Sequence, residues 1–378
     1  MRLGVATLFI CCLSISSVRA DELKSFPAAK HKAGELRYID QVPVLTLRGK
    51  PAEMGEQFGI LAIRNAPNLT GLHQQFLKDS GQEAAYPFIV SLAKDLKKGF
   101  PKHHLEEMEA AALAADRDEN RLYFANTIAD LSSGLGCSTV VVQKERSSTG
   151  APLFGRNFDW LPTKGLTEHT LIVVYKGEGK HAFAAITITP IEGVVSGMND
   201  AGLSITINEI SLKKSKDKAA FNWKGTPLLL AFRRVLEECT TVAEAEKLLR
   251  GMERTTSACL TLCDKDGGAV FEMTPKNLEV RPPENGVCCC TNHFRSDKLM
   301  LENKCWRFDK LAPLYKESEK LGVKEIFGRL DDVHQGKATL QSMVFEPKDR
   351  ILHFAYGEGP STRKDVHRLD LGKLFDEK

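Results

Sequence analysis

Polar and apolar positions divide this chain into two textures. Between about residues 36 and 135, apolar residues recur every three to four positions over Glu53–Ile63, Tyr86–Lys97, His104–Ala115 and Glu119–Leu131, the spacing that turns one side of an α-helix toward a core. Ahead of them a single apolar run, Val44–Leu47, reads as a strand. From residue 137 the runs become short and rich in β-branched residues: Thr139–Val142, Leu153–Phe158, His169–Tyr175, Ala182–Thr189, Gly193–Met198 and Leu203–Ile207. Turn signals such as Ser147-Ser148-Thr149-Gly150 and Asn199-Asp200-Ala201-Gly202 separate them. Two helices are expected next. Thr226-Pro227 supplies a cap and a proline for the first helical position, and Thr241-Val242-Ala243-Glu244 is a capping box for a second helix that stops at Gly251. Strands return at Ala258–Cys263, Ala269–Met273 and Val287–Thr291, a helical stretch covers Lys304–Tyr315, and terminal strands fall near Leu340–Phe345 and Ile351–Tyr356. Two groups of strands flanking paired helices predict an α+β sandwich, with sheets packed face to face and helices outside.

The first twenty residues stand apart from both textures. A basic start at Arg2, an apolar run to about Ile15, small or β-branched Val18 and Ala20, and then Asp21-Glu22 read as a secretory signal peptide cut after Ala20. No later stretch reaches the roughly 18 apolar residues that a membrane span requires, so an exported protein with no membrane span is expected. Leu8-Phe9-Ile10-Cys11 departs from a lipoprotein signal at Ile10, which is large where a small residue belongs. Asn68-Leu69-Thr70 is a glycosylation sequon. The chain carries 52 Lys and Arg against 49 Asp and Glu, and loss of Arg2 and Arg19 with the leader brings the two almost level. Such a balance argues against nucleic acid as a partner.

Of ten cysteines, Cys11 and Cys12 lie in the leader, leaving Cys137, Cys239, Cys259, Cys263, Cys288, Cys289, Cys290 and Cys305. Export permits disulfides, but if Cys137 stays free an odd number remains to be paired. Cys288-Cys289-Cys290 does not suit a metal, because adjacent strand residues point to opposite faces and the spacing to Cys259 and Cys263 fits no zinc pattern. These thiols read better as small buried hydrophobes with one disulfide among them. His103-His104 reads as the start of a solvated helix rather than a ligand pair, and no metal or cofactor is expected. Gly177-Glu178-Gly179 reads as a hairpin turn, since no helix follows it to cradle a phosphate. Trp160, Trp223 and Trp306 are left between lining an acyl pocket and filling a core.

The change of texture falls at Gly136-Cys137. A cysteine that becomes the first residue of a new chain gains an α-amino group with a pKa near ~7.7–8.0, which can take the thiol proton without a separate histidine. Gly136, lacking a Cβ, permits the backbone conformation in which the sulfur of Cys137 reaches the preceding carbonyl. A buried structural cysteine at the start of a strand is the plain alternative.

The surrounding motifs decide between them. Cys137-Ser138-Thr139 is followed by Gly155-Arg156-Asn157-Phe158-Asp159-Trp160, then Gly197-Met198-Asn199-Asp200-Ala201-Gly202-Leu203 leading to Asn208, then Thr291-Asn292-His293-Phe294, then Cys305-Trp306-Arg307-Phe308. Upstream lies Leu47-Arg48-Gly49-Lys50-Pro51-Ala52-Glu53-Met54-Gly55. In this order the motifs resemble the cysteine N-terminal-nucleophile hydrolases of the isopenicillin-N acyltransferase family, with conjugated bile acid hydrolase, acid ceramidase and N-acylethanolamine amidase as more distant relatives. The resemblance implies a four-layer αββα sandwich and a precursor cut at Gly136-Cys137. Residues 21–136 then form a helical N-terminal chain and 137–378 the catalytic chain, the two remaining associated.

It also implies roles. Arg156 lies near the sulfur and favours thiolate, and Asp159 orients the α-amino group, which requires it to lie where its strand bends or ends. Asn208 and Asn292 steady the oxyanion. Arg307 completes the set, with Arg295 as the competing arginine. The substrate is a small N-acyl compound whose amide is cleaved through a thioester, or whose acyl group is transferred. A phospholipase-B-like lipid acyl hydrolase and a non-catalytic exported binding protein stand as alternatives on the same scaffold.

Overall fold

Alternation along the strands sets two sheets back to back. The computed structural model describes residues 26–64, 77–79, 81, 83–131, 136–163, 165–302 and 304–377. The leader at 1–20 and the sequon at 68–70 lie outside the described residues.

Strands β1 (Ala29–His31), β2 (Gly34–Ile39) and β3 (Val42–Gly49) open the chain, followed by α1 (Pro51–Phe58), α2 (Tyr86–Leu96), α3 (Lys102–Ala115) and α4 (Glu119–Leu131). Then come β4 (Gly136–Val142), β5 (Leu153–Asp159), β6 (Thr170–Gly177), β7 (Phe183–Ile188), β8 (Ser196–Asn199) and β9 (Ser204–Glu209). Helices α5 (Leu228–Glu238) and α6 (Val242–Gly251) precede β10 (Ala258–Asp264), β11 (Gly267–Met273), β12 (Leu278–Arg281) and β13 (Val287–Cys290). The chain ends with α7 (Trp306–Leu311), α8 (Val323–Asp331), β14 (Thr339–Glu346), β15 (Ile351–Tyr356), β16 (His367–Asp370) and α9 (Leu371–Asp376).

Ten strands form one sheet in the order β1-β2-β3-β6-β7-β8-β9-β10-β11-β12, and six form the other, β13-β4-β5-β14-β15-β16. Their facing sides interdigitate: Val141, Phe154, Met343 and Phe345 of the smaller sheet meet Val44, Ile172, Ile186 and Met198 of the larger. The outer side of the smaller sheet, with Val140, Val142 and Val344, is covered by Leu311, Ile326 and Leu330 of α7 and α8. The outer side of the larger sheet, with Leu45, Val173, Ile205 and Leu260, is covered by Phe58, Met108, Phe124, Leu229 and Phe232 of the long helices. Each such burial contributes about 1.5–3 kcal/mol relative to exposure. The result is the four-layer αββα sandwich. Among the described residues no helix is long and apolar enough to cross a membrane.

Three expectations are corrected. The N-terminal segment is not simply helical, since β1, β2 and β3 form one end of the larger sheet, with β3 parallel to β6 and Val44 beside Ile172. Pro227 sits at the N-cap of α5 rather than at its first helical position, and the Asp130 carboxylate of α4 takes the capping part by accepting from the Leu228 N–H at 3.1 Å. His104 is fully buried, because Glu237 of α5 comes to meet it from 133 residues away. Thr241 caps α6 as read, its side chain accepting from the Glu244 N–H, but the box is only half formed because the Glu244 carboxylate accepts from Thr240 rather than from the Thr241 N–H. A fourth expectation also fails: the eight described cysteines are buried as read, but none is disulfide-bonded, so the disulfide expected among them is absent. Trp160 is buried, whereas Trp223 and Trp306 are exposed.

Candidate functional site

Strand register separates the site into a sulfur side and a nitrogen side. Cys137 is the second residue of β4 and pairs with Phe158 of β5, while Gly136 pairs with Asp159. Side chains at 137, 156 and 158 therefore face the interior of the sandwich, and those at 136 and 159 take the other face.

On the sulfur side, Arg156 donates through Nη2 to Cys137 Sγ at 3.3 Å and through Nη1 to the Ile207 carbonyl of β9 at 2.5 Å. The guanidinium thus crosses from one sheet to the other, and a second crossing, Thr139 Oγ1 to Thr261 Oγ1 at 3.0 Å, lies beside it. Cys137 and Arg156 have no exposure. Burial pushes the Cys137 thiol up to about 11; Arg156 and Arg307 oppose that rise and Asp159 adds to it. Burial also holds Arg156 below its ordinary value. Asn208, on β9 next to Ile207, is buried with neither its Oδ1 nor its Nδ2 hydrogen-bonded. A buried amide with both ends idle costs on the order of 1–3 kcal/mol per unmet group, which marks it as a group kept for something else.

On the nitrogen side, the Cys137 N–H donates to Asn292 Oδ1 at 2.9 Å, and Asn292 Nδ2 is itself given to the Glu209 carbonyl at 2.8 Å. Asn292 therefore meets the cysteine through its nitrogen, and only Asn208 offers an uncommitted amide. Arg307 of α7 donates to the Cys137 carbonyl at 2.6 Å, to Ser138 Oγ at 3.2 Å and to Asn292 Oδ1 at 2.8 Å, and lies 3.6 Å from Asp159 Oδ2. Arg295 instead stacks over the Phe308 ring at 3.7 Å, so Arg307 is the arginine at the site.

Asp159 is the last residue of β5, where its pairing with β14 shifts between Thr339 and Gln341. Its carboxylate accepts from Thr339 Oγ1 and from Gln335 Nε2, each at 2.6 Å. A side chain at position 136 would bring its Cβ within 2.2 Å of Gln335 Nε2 and 3.2 Å of Asp159 Oδ2, so any larger residue there must displace the end of the Gln335 side chain. Gly155 is required for a different reason: its missing Cβ is the space that Ile326 of α8 fills, at 2.3 Å from where that atom would stand.

All six side chains singled out in the sequence thus lie around one backbone junction or on the strands touching it. Sequence reasoning missed Gln335 and Thr339. Their only signal is position, in and just before the strand that pairs with Asp159. Beside Phe158, the side chains of Trp160, Ile186, Ile188, Ile191 and Val195 pack with Thr187 and Gln341 and leave no space for a water molecule. Among the described residues, one grouping with metal-ligand atom types is present, His103, His104 and Glu237, on α3 and α5.

Residues 145–359 match the family model "Acyl-coenzyme A:6-aminopenicillanic acid acyl-transferase", more than half of the chain, beginning after Cys137 and including Arg156, Asp159, Asn208, Asn292 and Arg307. An uncharacterized protein of Archaeoglobus fulgidus is 25% identical over 399 residues, covering 88% of this chain and 63% of that protein. The N-acylethanolamine-hydrolyzing acid amidase of Caenorhabditis elegans is 25% identical over 169 residues, covering 42% of this chain and 47% of the relative. The chain thus spans less than two thirds of the length of either. A solved structure of a Caenorhabditis elegans N-acylethanolamine-hydrolyzing acid amidase ortholog aligns with a TM-score of 0.43 at 21% identity, over 56% of this chain and 93% of that one.

Proposed function

Because the chain belongs to the acyl-coenzyme A:6-aminopenicillanic acid acyl-transferase family, we propose that it is an exported, self-processing N-terminal-nucleophile enzyme acting on a linear amide through Cys137. The observation that carries this reading is that one residue has its sulfur against a guanidinium and its nitrogen held by a side-chain amide oxygen. Nucleophile and prospective base are then partnered separately before any cut is made.

In the uncut chain, Cys137 Sγ attacks the Gly136 carbonyl carbon, the C–N bond breaks, the thiol proton passes to the departing Cys137 nitrogen, and the acyl chain passes to sulfur as a thioester. Water hydrolyses the thioester, leaving a carboxylate on Gly136 and a free amine on Cys137. A thiol pushed up to about 11 stays protonated near neutral pH, so the uncut protein is a weak nucleophile. Release of the amine supplies a base that titrates near ~7.7–8.0 beside the same sulfur. Asn292 Oδ1 accepts from that nitrogen, while Arg307 bonds the carbonyl of the same residue and lies 3.6 Å from the Asp159 carboxylate.

On substrate, the amine accepts the thiol proton, Sγ attacks the amide carbonyl, and Asn208 Nδ2 donates to the oxygen as it gains charge. Collapse returns the proton to the leaving amine and leaves an acyl-thioester. Water or an acceptor amine then takes the acyl group. The nematode relative's name describes hydrolysis of N-acylethanolamines. An N-acyl amine is therefore the proposed substrate class. Association of the two chains is supported by the pairing of β3 with β6, which lie on opposite sides of the cut.

Intact mass of the denatured protein tests this reading, wild type beside Cys137→Ala. Two pieces meeting at Gly136-Cys137 are expected from the wild type and one chain from the variant. A wild-type protein that stays whole and has no amidase activity would leave the binding-protein alternative in possession.

A further inference from the structure

The end of the sandwich away from Cys137 holds a second buried polar cluster that the proposed reaction does not use. On β6, Thr170 receives a bond from Gln341, the register partner of Phe158, and so marks the Cys137 end. Gly177 terminates the same strand at the opposite end, and there it lines a cavity of about 110 Å³ together with Gly49, His181, His103, Arg233 and Glu237.

His103 and His104 are consecutive at the start of α3, yet both rings turn to one carboxylate. His103 Nε2 lies 2.9 Å and His104 Nε2 3.0 Å from Glu237 Oε2, with ring centroids 4.1 Å apart. The three ligand-type atoms all fall within 4.8 Å of one another. Zinc–nitrogen and zinc–oxygen bonds of about 2.0–2.2 Å place the donors of a tetrahedral set about 3.4 Å apart, so only small shifts are needed to admit an ion. Buried Arg233 grips the other oxygen of Glu237 at 2.8 Å and both oxygens of Glu107 at 2.9 and 2.6 Å. That orients the carboxylate as outer partners of metal ligands do. Two carboxylates sharing one guanidinium leave one negative charge to be met by something else. His104 Nδ1 is buried with no hydrogen-bond partner, so the ring's hydrogen bonding goes to Glu237 alone.

We propose that His103, His104 and Glu237 bind a divalent transition cation of the zinc type, with a water drawn from the adjoining cavity as the fourth ligand. Two nitrogens and one carboxylate suit zinc or cobalt better than calcium or magnesium, which take oxygen donors. The bound ion ties the start of α3 to the end of α5 across the helical layer. The competing account is a shared proton: one ring carries a positive charge and no metal enters.

The test is titration of the full-length, metal-free protein with Co²⁺, read by visible absorption, followed by displacement with Zn²⁺. One equivalent of Co²⁺ giving visible tetrahedral bands that Zn²⁺ abolishes is expected. The side chain of His103 is 31% exposed, so His103→Ala leaves the core intact and should weaken binding by at least about 100-fold with an unchanged circular dichroism spectrum. Glu237→Gln should do the same. Absence of visible bands in the wild type overturns the proposal. So do bands of equal midpoint in wild type and His103→Ala, or a sulfur-to-cobalt near-ultraviolet band in both, which would assign the ion to cysteine.

Discussion

Two arginines without exposure show what the protein does with a buried charge when it is meant to stay put and when it is not. Arg233 is saturated: Nε and both terminal nitrogens reach Glu237, Glu107 and the Glu192 carbonyl, and the guanidinium lies 4.3 Å over the Tyr175 ring. Burial works against its charge, but the two carboxylates outweigh burial and hold its pKa well above the ordinary value. Arg156 makes fewer hydrogen bonds, to one carbonyl and one sulfur, and lies 5.2 Å over the Phe158 ring, with its Nε unpartnered and Asn208 idle on the neighbouring strand. Its pKa moves the other way, lowered by burial. The first arrangement fastens helices; the second leaves unspent donors beside the sulfur proposed to react.

If that distinction is right, the two arginines answer substitution differently. Arg233→Met strands Glu107 and Glu237 as unpaired buried charges and should destabilise the protein by about 3–5 kcal/mol in urea unfolding. Arg156→Met, with no buried carboxylate bonded to it, should cost less stability than turnover. A reversal of that order would dissolve the contrast. Asn208→Ala should lower kcat by about 10²–10³, or ~2.7–4 kcal/mol, while leaving the unfolding midpoint nearly unchanged; an unaltered kcat would remove it from oxyanion binding.

Gly136→Ala should slow appearance of the Cys137 chain end, because the new methyl meets Gln335, and Gln335→Ser in the same protein should restore part of the rate. Time courses by mass spectrometry measure both, and an unimpeded Gly136→Ala precursor would show that Gln335 yields. The smallest effect concerns Asp130. Burial raises its carboxyl to about 7; bonds from Thr255 and Leu228 oppose this, and Glu209 adds to it. Its folded-state pKa exceeds the unfolded value of 3.8, so its contribution to stability is complete below that value and is lost as pH rises to about 7. Asp130→Asn should flatten the decline in stability over that window while keeping the α5 cap. Parallel curves for the two proteins would show that Asp130 is not the titrating group.

How much of this was legible depended on how far apart in sequence the cooperating residues lie. Cys137, Arg156 and Asp159 sit on adjoining strands within one hairpin, and the glycines and turn residues between them declare that geometry locally. Asn208, Asn292 and Arg307 could be picked out only because their motifs keep a familiar order. Gln335 and Thr339 are invisible by the same measure, since nothing about a glutamine in a loop announces a carboxylate 176 residues away. His104 misled for a related reason: two histidines opening a helix look solvated until Glu237 and Arg233 arrive on a helix more than 120 residues further along the chain. Strands β1 and β2 escaped notice because Ala29–His31 is three residues long and Leu36 is the one buried side chain of Gly34–Ile39. Helix α8 was missed between polar turns, though Ile326 and Leu330 fix it against the glycine of β5.

The parallel ladder between β3 and β6 runs from Val44 beside Ile172 to Gly49 beside Gly177. A polypeptide made from Cys137 onward would lack that neighbour and present the amides and carbonyls of β6 as an open sheet margin, a template for self-association. Recombinant supply of the catalytic portion should therefore depend on co-synthesis with residues 21–136, and separate expression should yield insoluble material.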